Sequence, residues 1–280
     1  MTPEISETAP AAAGPQSGWP EPVRHRLTDY YTRYYRDALG IPSWRELVAT
    51  RMDEEAYEAG HLARVERLLG RSLAGLHVLN VGCGTGGFTV TARRAGARCV
   101  GVDAEPDAVA ICRLKAERSG PSAILGAAEA LPFRGGAFDL AYCFSTLEHV
   151  ADVRAAVREM VRVTRPGGAV YIHGPNALAC YEGHYKLFWL PLMPKALARW
   201  YLRLRGRPTG FVDTLNPLVG GRIRRLFSAA GARPAAVPAD DALPRESGSP
   251  LWPLVRAYYR LFGVSPSIEI LALKGPDAKA

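Results

Sequence analysis

Short apolar runs at 77–81, 98–103, 122–126, 138–144 and 168–173 alternate with stretches of helical period at 105–118 and 151–165. This alternation is the most restrictive feature of the chain. Strands that each feed a helix pair in parallel, with helices on both faces of the sheet. The alternation pauses over 174–219, resumes with a helix at 220–230 and a strand at 232–237, and pauses again over 239–264. It ends in a strand at 267–274, flanked by Pro266 and Pro276.

Before the first strand the period is helical. Thr28 is placed to cap a helix running to Leu39, which Gly40 stops, and a second helix spans 43–70 and closes at Gly70. Residues 1–22, with prolines at 3, 10, 15, 20 and 22, have little to bury and are expected to be a disordered tail. The organisation expected is therefore a tail over 1–22, a helical cover over 23–74 and one α/β domain over 75–280.

Composition narrows the classes. With 280 residues, 48% apolar and 22% charged, the chain can bury a large core and is neither collagenous nor wholly disordered. No apolar stretch reaches the length of a bilayer span, and residues 1–22 lack a basic start followed by an apolar run. The five cysteines (Cys83, Cys99, Cys112, Cys143 and Cys180) form no C-x-x-C pair and leave an odd count, which points to reduced thiols and a cytoplasmic setting. Neither they nor the six histidines show metal-ligand spacing, so no metal is expected. Charge is unevenly placed. Residues 186–233 hold ten Lys and Arg against one acid, Asp213, which exceeds the whole chain's net +8.

Four glycines, Gly82, Gly84, Gly86 and Gly87, stand where the first strand turns into a helix. Glycine there permits positive φ and lets backbone lie against a ligand at the carboxyl end of the strand. Gly82, Gly84 and Gly87 fit G-x-G-x-x-G, and Asp103 ends the second strand 21 residues beyond Gly82, where a carboxylate can take both hydroxyls of a ribose. Those two features suit any adenosine-containing cofactor, NAD included.

Downstream motifs decide among them. VLNVGCGTGG, GVDAEPDAV at 101–109, GAAEALPF at 126–133, FDLAYCFSTLEHV at 138–150 and RVTRPGGAVYI at 162–172 follow in order. Together they resemble class I S-adenosylmethionine-dependent methyltransferases, and most of all the ubiquinone/menaquinone-biosynthesis-type group. The resemblance implies a Rossmann-like, doubly wound seven-stranded sheet and S-adenosylmethionine as cofactor. By the same resemblance, Gly82, Cys83 and Gly84 would line the methionine part and Asp103 would hold the ribose. Ala104, Ala128 and Glu129 would edge the adenine, and Cys143 would meet the methionine end. The position before Val81 is usually acidic in this group. Here it is Asn80, which keeps hydrogen-bonding capacity but not the charge that complements an ammonium group.

Methyl transfer asks the protein for alignment and dryness, and for a base only where the acceptor must lose a proton. His149, just beyond the fourth strand, is the expected catalytic residue, with Glu148, His184 and His173 as further candidates. Tyr30, Tyr31, Tyr34 and Tyr35 on the first helix stand close enough to touch cofactor or acceptor. Residues 174–219 follow strand five and are expected to form a lid over the acceptor site. Within them Leu197, Trp200, Tyr201 and Leu204 share one helical face and Lys195, Arg199 and Arg203 another. Such a helix either closes a pocket or lies at a membrane surface, so peripheral membrane contact through 186–207 is the second expectation.

The acceptor expected is a small or lipid-like molecule, methylated at oxygen first and carbon second. Nucleic acid is not expected, because Cys143-Phe144-Ser145-Thr146 stands where base-amino methylation would need Asp/Asn-Pro-Pro-aromatic. The rival readings are an NAD(P)-dependent oxidoreductase and a non-catalytic relative that only binds.

Overall fold

The computed structural model describes residues 18–115, 122–235, 237 and 252–275. Seven strands form one sheet: β1 (His77–Val81), β2 (Arg98–Asp103), β3 (Ala123–Leu125), β4 (Phe138–Phe144), β5 (Thr164–Pro175), β6 (Ala232–Ala235) and β7 (Ser267–Lys274). Their order is β3-β2-β1-β4-β5-β7-β6. The first five are parallel, and β7 runs antiparallel to both its neighbours. All seven expected strands are present. The order reverses between β1 and β4, so their carboxyl ends diverge and leave a crevice there.

Three helical segments precede the sheet: α1 (Glu21–Thr32), continued by a wider π turn over Arg33–Ala38, α2 (Trp44–Met52) and α3 (Glu54–Leu69). Three local expectations need correction. The first helix starts at Glu21 behind Pro20, and Thr28 lies inside it, with its hydroxyl on the Met52 sulfur at 3.7 Å instead of capping. The tail expected over 1–22 does not extend to its stated end, because Trp19 is buried and α1 has begun by Glu21; residues 1–17 lie outside the described residues. The helix expected over 43–70 is broken at Asp53, whose carboxylate accepts the Ala56 N–H and caps α3. Gly70 ends α3 in the left-handed conformation at φ +65°.

After β1 come α4 (Gly87–Arg94), α5 (Pro106–Lys115) and α6 (Val153–Val163). Asp152 caps α6 by accepting the N–H groups of Arg154 and Ala155 at 2.8 and 3.1 Å. Residues 174–219 contain a two-stranded hairpin (Tyr181–Glu182 with Leu187–Phe188), α7 (Lys195–Leu204) and α8 (Gly210–Thr214). Then follow α9 (Gly220–Ala229) and α10 (Trp252–Phe262). Of the 239–264 segment, only 252 onward is described.

The strands alternate their side chains between two cores, as a pleat of period two requires. Leu79, Val81, Ala141, Cys143, Val170 and Ile172 pack with α6 and α9, while Val78, Leu140, Tyr142 and Tyr171 pack with α3 and α4. A third core forms the roof. Leu27, Leu39, Val48 and Met52 of the N-terminal helices pack with Tyr185, Leu187, Ala198, Leu202 and Val212 of the segment after β5. The N-terminal helices and the 174–219 segment are therefore one packed layer above the carboxyl edge. Among the described residues no helix is long and apolar enough to cross a membrane.

Candidate active site

The glycines of the first turn do three different jobs. Gly82 has φ +70°, and a Cβ on it would stand 2.1 Å from Thr146 Oγ1. Gly86 has φ +89°, and its Cβ would stand 2.3 Å from Cys112 Sγ. These two let the turn pack against the loop after β4 and against α5. Gly84 also has positive φ, but nothing lies within 4 Å of its Cβ position. Its open side faces a cavity of about 1130 Å³ roofed by the N-terminal helices and the hairpin.

Asp103, at the end of β2, accepts the Gly84 N–H on Oδ2 at 2.7 Å and the Glu105 N–H on Oδ1 at 2.9 Å. The carboxylate is thus oriented by two backbone donors, with lone pairs to spare on each oxygen. Asn80 is buried and lines the cavity, with its amide donating to Thr89 Oγ1 at 3.0 Å. Ala104, Ala128 and Glu129 line the same cavity. Glu129 also accepts the Ala151 N–H at 2.6 Å, which ties the β3 loop to the entry of α6. Cys83 reaches the cavity, but its side chain joins Val109, Cys112 and Ala123 in a small buried cluster.

Cys143 is the exception. It does not line the cavity but sits fully buried in the core on the α6 side, where burial pushes its thiol up to about 12. Strand alternation is the reason: its neighbours Tyr142 and Phe144 point the other way and do line the cavity.

Beyond β4 the site is ionisable. Glu148 is 1% exposed, and neither carboxylate oxygen has a hydrogen-bond partner among the described residues. Burial raises it to about 7. His149 lies edge-on to His184 and Phe211, with ring centroids 5.3 and 5.5 Å away, and burial together with the His184 charge lowers it to about 4. His184 comes from the hairpin turn. Burial works to lower it, but its hydrogen bond to Glu182 (Nδ1 to Oε1, 2.7 Å) and the charges of Glu182 and Glu148 outweigh that, and it is raised. Glu182 is fixed in turn by the Tyr185 N–H at 2.6 Å.

Glu148, His149 and His184 bring one donor atom each to within 4.8 Å of one another, a set with the chemistry to hold a divalent cation. Histidine spacing along the chain gave no sign of it, because His184 arrives from a separate element. His173 stacks on Phe144 at the rim, with centroids 4.3 Å apart.

All four tyrosines of the first helix line the cavity. Tyr30 donates to Glu105 at 2.7 Å. Tyr31 donates to Glu54 at 2.6 Å and stands 2.9 Å from Thr85 Oγ1. Glu54, which the sequence did not single out, is buried beside Lys115 and receives Thr85 Oγ1 as well, so one carboxylate joins α3, α1, the glycine turn and α5.

The lid expectation fails for α7. Leu197, Trp200 and Leu204 are 39, 57 and 64% exposed and face away from the cavity, while Ala198 and Leu202 anchor the helix to the roof. The hairpin and α8 cover the site instead, through Tyr181, Gly183, His184, Lys186 and Phe211. A smaller apolar chamber of about 270 Å³, lined by Trp189, Leu192, Met193, Val212 and Leu218, adjoins the cavity at Glu148, Pro175 and Tyr181.

Residues 79–172 match a family model described as a methyltransferase domain. The ubiquinone biosynthesis O-methyltransferase of Chelativorans sp. is 34% identical over 141 residues, covering 48% of this chain and 55% of that protein. Its counterpart from Rhizobium johnstonii is 36% identical over 129 residues, covering 43% and 52%. The chain therefore spans about half the length of the curated relatives it matches. Among solved structures, an S-adenosylmethionine-dependent methyltransferase from Mesorhizobium loti superposes with TM-score 0.53 at 16% identity over 75% of this chain and 96% of that one. The YcgJ protein of Bacillus subtilis does so with TM-score 0.52 at 21% identity over 77% and 99%. At such identities the likeness speaks for the fold. Over residues 79–172 the chain is thus similar to a methyltransferase domain, and over that stretch it resembles the ubiquinone biosynthesis O-methyltransferases.

Proposed function

We propose that the protein methylates a hydroxyl of a small, largely apolar acceptor. The observation that carries this reading is the pairing of two features in one cavity: the open face of Gly84 beside the oriented Asp103 carboxylate, and the buried ionisable cluster of Glu148, His149 and His184. The residues fit the cofactor. Gly82, Cys83 and Gly84 offer backbone to its amino-acid part, with Asn80 behind them. Asp103 suits a ribose diol, and Ala104, Ala128 and Glu129 suit the edge of an adenine. Cys143 is withdrawn from that set. At about 1130 Å³ the cavity exceeds the roughly 300–1,000 Å³ of a pocket for one drug-sized ligand, so it has room for cofactor and acceptor together.

The chemistry the cofactor supplies when bound is an electrophilic sulfonium methyl. The chain's part is to align the acceptor, exclude water and take a proton. The base role expected of His149 passes to Glu148. A carboxyl at about 7 is matched to neutral pH, while a histidine at about 4 stays neutral and is a weak proton acceptor. His184, tied to Glu182 and raised above its ordinary value, stands beside Glu148, where its charged form favours the carboxylate that takes the proton. The adjoining apolar chamber suits a hydrocarbon portion of the acceptor, and the outward stripe of Leu197, Trp200 and Leu204, with Arg203 and Arg205 beside it, suits peripheral contact with an anionic membrane.

Calorimetric titration with S-adenosylhomocysteine and with NADH tests the cofactor, and release of S-adenosylhomocysteine over a panel of phenols with and without alkyl chains tests the acceptor. Binding of the first ligand only, and turnover favouring the alkylated phenols, is expected. Binding of NADH alone refutes the proposal. Vesicle flotation tests the surface: capture by phosphatidylglycerol that Trp200→Glu abolishes is expected, and equal recovery with and without vesicles refutes the contact.

A further inference from the structure

Arg51 stands out among the charged groups of the cavity. It sits in the last turn of α2, half-buried, and is the one arginine among the described cavity-lining residues. Its Nε donates to the Tyr35 hydroxyl at 3.0 Å. Its guanidinium lies 4.5 Å from the centroid of the Tyr57 ring and 5.6 Å from that of Tyr31. Among the described residues no carboxylate meets it.

The cavity does not lack acids. Six line it; five have hydrogen-bond or ion-pair partners of their own, and the sixth, Glu148, lies beside His184. Glu54 belongs to Lys115, Tyr31 and Thr85, and Glu58 to His61. Asp103 and Glu129 serve backbone N–H groups, Glu105 serves Tyr30, and Glu148 faces His184. A desolvated guanidinium without an anion is costly, and tyrosine rings offset only part of that cost. Its planar fork matches a carboxylate through two parallel N–H donors, and here most of the fork has no protein acceptor.

We infer that Arg51 is the anion-binding residue of the cavity and takes a carboxylate of the molecule bound there. Tyr31 links the two: its ring centroid is 5.6 Å from the guanidinium while its hydroxyl reaches Thr85 in the glycine turn, so Arg51 and that turn flank the same ring. Two sources offer the same chemistry there, the amino-acid end of the cofactor and an acidic group on the acceptor. The first source rests on the cofactor reading above; the second does not.

The test compares S-adenosylhomocysteine with 5′-methylthioadenosine, which shares the nucleoside and sulfur but lacks the amino-acid end, on the parent chain, Arg51→Met and Arg51→Lys. Benzoate is titrated alongside as a plain carboxylate probe, and circular dichroism checks that each variant is folded. If the carboxylate is the cofactor's, Arg51→Met weakens S-adenosylhomocysteine by about 10- to 100-fold and leaves 5′-methylthioadenosine unchanged, with Arg51→Lys between them. If it is the acceptor's, both nucleosides bind all three proteins equally, and only benzoate binding is lost in Arg51→Met. Benzoate bound through Arg51 by a parent that binds neither nucleoside keeps this inference and removes the methyltransferase reading. Equal binding of all three probes to parent and Arg51→Met, or no binding of any of them to the parent, overturns the inference.

Discussion

The buried pair of Glu54 and Lys115 gives the sharpest prediction, because its energetics can be bounded. The two side chains are 2% and 0% exposed, and the carboxylate also receives Tyr31 and Thr85. Burial works against the charge of Glu54, but Lys115 and the two hydroxyls outweigh it and hold the carboxyl below its ordinary 4.5. Lys115→Met removes the cation and keeps the bulk. What remains is a buried carboxylate with two hydroxyl donors and no counter-charge, a defect of about 3–5 kcal/mol in general. Protonation is the escape. At pH 7, neutralising a group of ordinary value 4.5 costs about 3 kcal/mol, and at pH 5 it costs about 1 kcal/mol or less, so those figures cap what the stranded charge itself can cost.

The sign follows in both chains. In the parent the folded value is depressed, so the contribution is present above 4.5 and fades as pH falls through the folded value. In the variant the folded value is raised, so stability is present at low pH and drains away as pH rises. Urea midpoints at both pH values read the difference. Adding Glu54→Gln to Lys115→Met removes the stranded charge and is expected to recover about 2 kcal/mol at pH 7. A loss under about 1 kcal/mol at pH 7, a loss equal at both pH values, or a double variant no better than the single refutes the reasoning.

Three further outcomes are expected. Gly82→Ala meets Thr146 and needs φ +70°, so it costs roughly 3 kcal/mol in urea unfolding, whereas Gly84→Ala, with open space around it, costs about 1 kcal/mol and instead weakens S-adenosylhomocysteine by tenfold or more; equal effects on stability would contradict the division of roles. Glu148, raised from 4.5 to about 7, favours the fold when neutral, and that contribution is lost as pH climbs from 4.5 through 7. Glu148→Gln is therefore expected to be more stable than the parent by about 3 kcal/mol at pH 8 and by about 1 kcal/mol or less near pH 5, and parity at pH 8 would mean that the His184 charge offsets the burial. Asn80→Asp restores a charge behind the cofactor's ammonium group, and calorimetry is expected to find S-adenosylhomocysteine binding tightened by about fivefold, or 1 kcal/mol; unchanged affinity would place the ammonium group elsewhere.

The half of the site that was legible in the sequence is the half built from short-range rules. A strand, a glycine turn and an acid at the end of the next strand are neighbours in space because parallel pairing sets Val81 beside Val102, one residue before Asp103. Strand alternation was equally available and would have turned Cys143 away from the cavity, since Tyr142 and Phe144 flank it. The roof obeys no such local rule. Glu54 meets Lys115 across 61 positions, and His184 meets Glu148 only because a hairpin turn carries it back over β4. Periodicity identified the apolar face of α7 but not its cover, because that helix has two apolar stripes. The smaller, Ala198 and Leu202, is buried, and the larger, with Trp200, is left outside.

The matched family segment ends at residue 172, and the cavity does not. Gly84, Asp103, Ala128 and Glu148 lie within the segment, whereas Arg51, Tyr31 and Glu54 precede it and His184 and Phe211 follow it. Apart from Arg51, the residues proposed to hold the cofactor fall inside the shared portion, while the hairpin and α8 that cover the site fall outside it. The roof core locks those outside parts to one another through Leu27, Leu39, Tyr185 and Leu202, so a change in either shifts the other. That core also takes in Val90 of α4 and Ile111 of α5, so the outside parts are seated on the shared portion, and a change of roof is felt at the helix that follows the glycine turn.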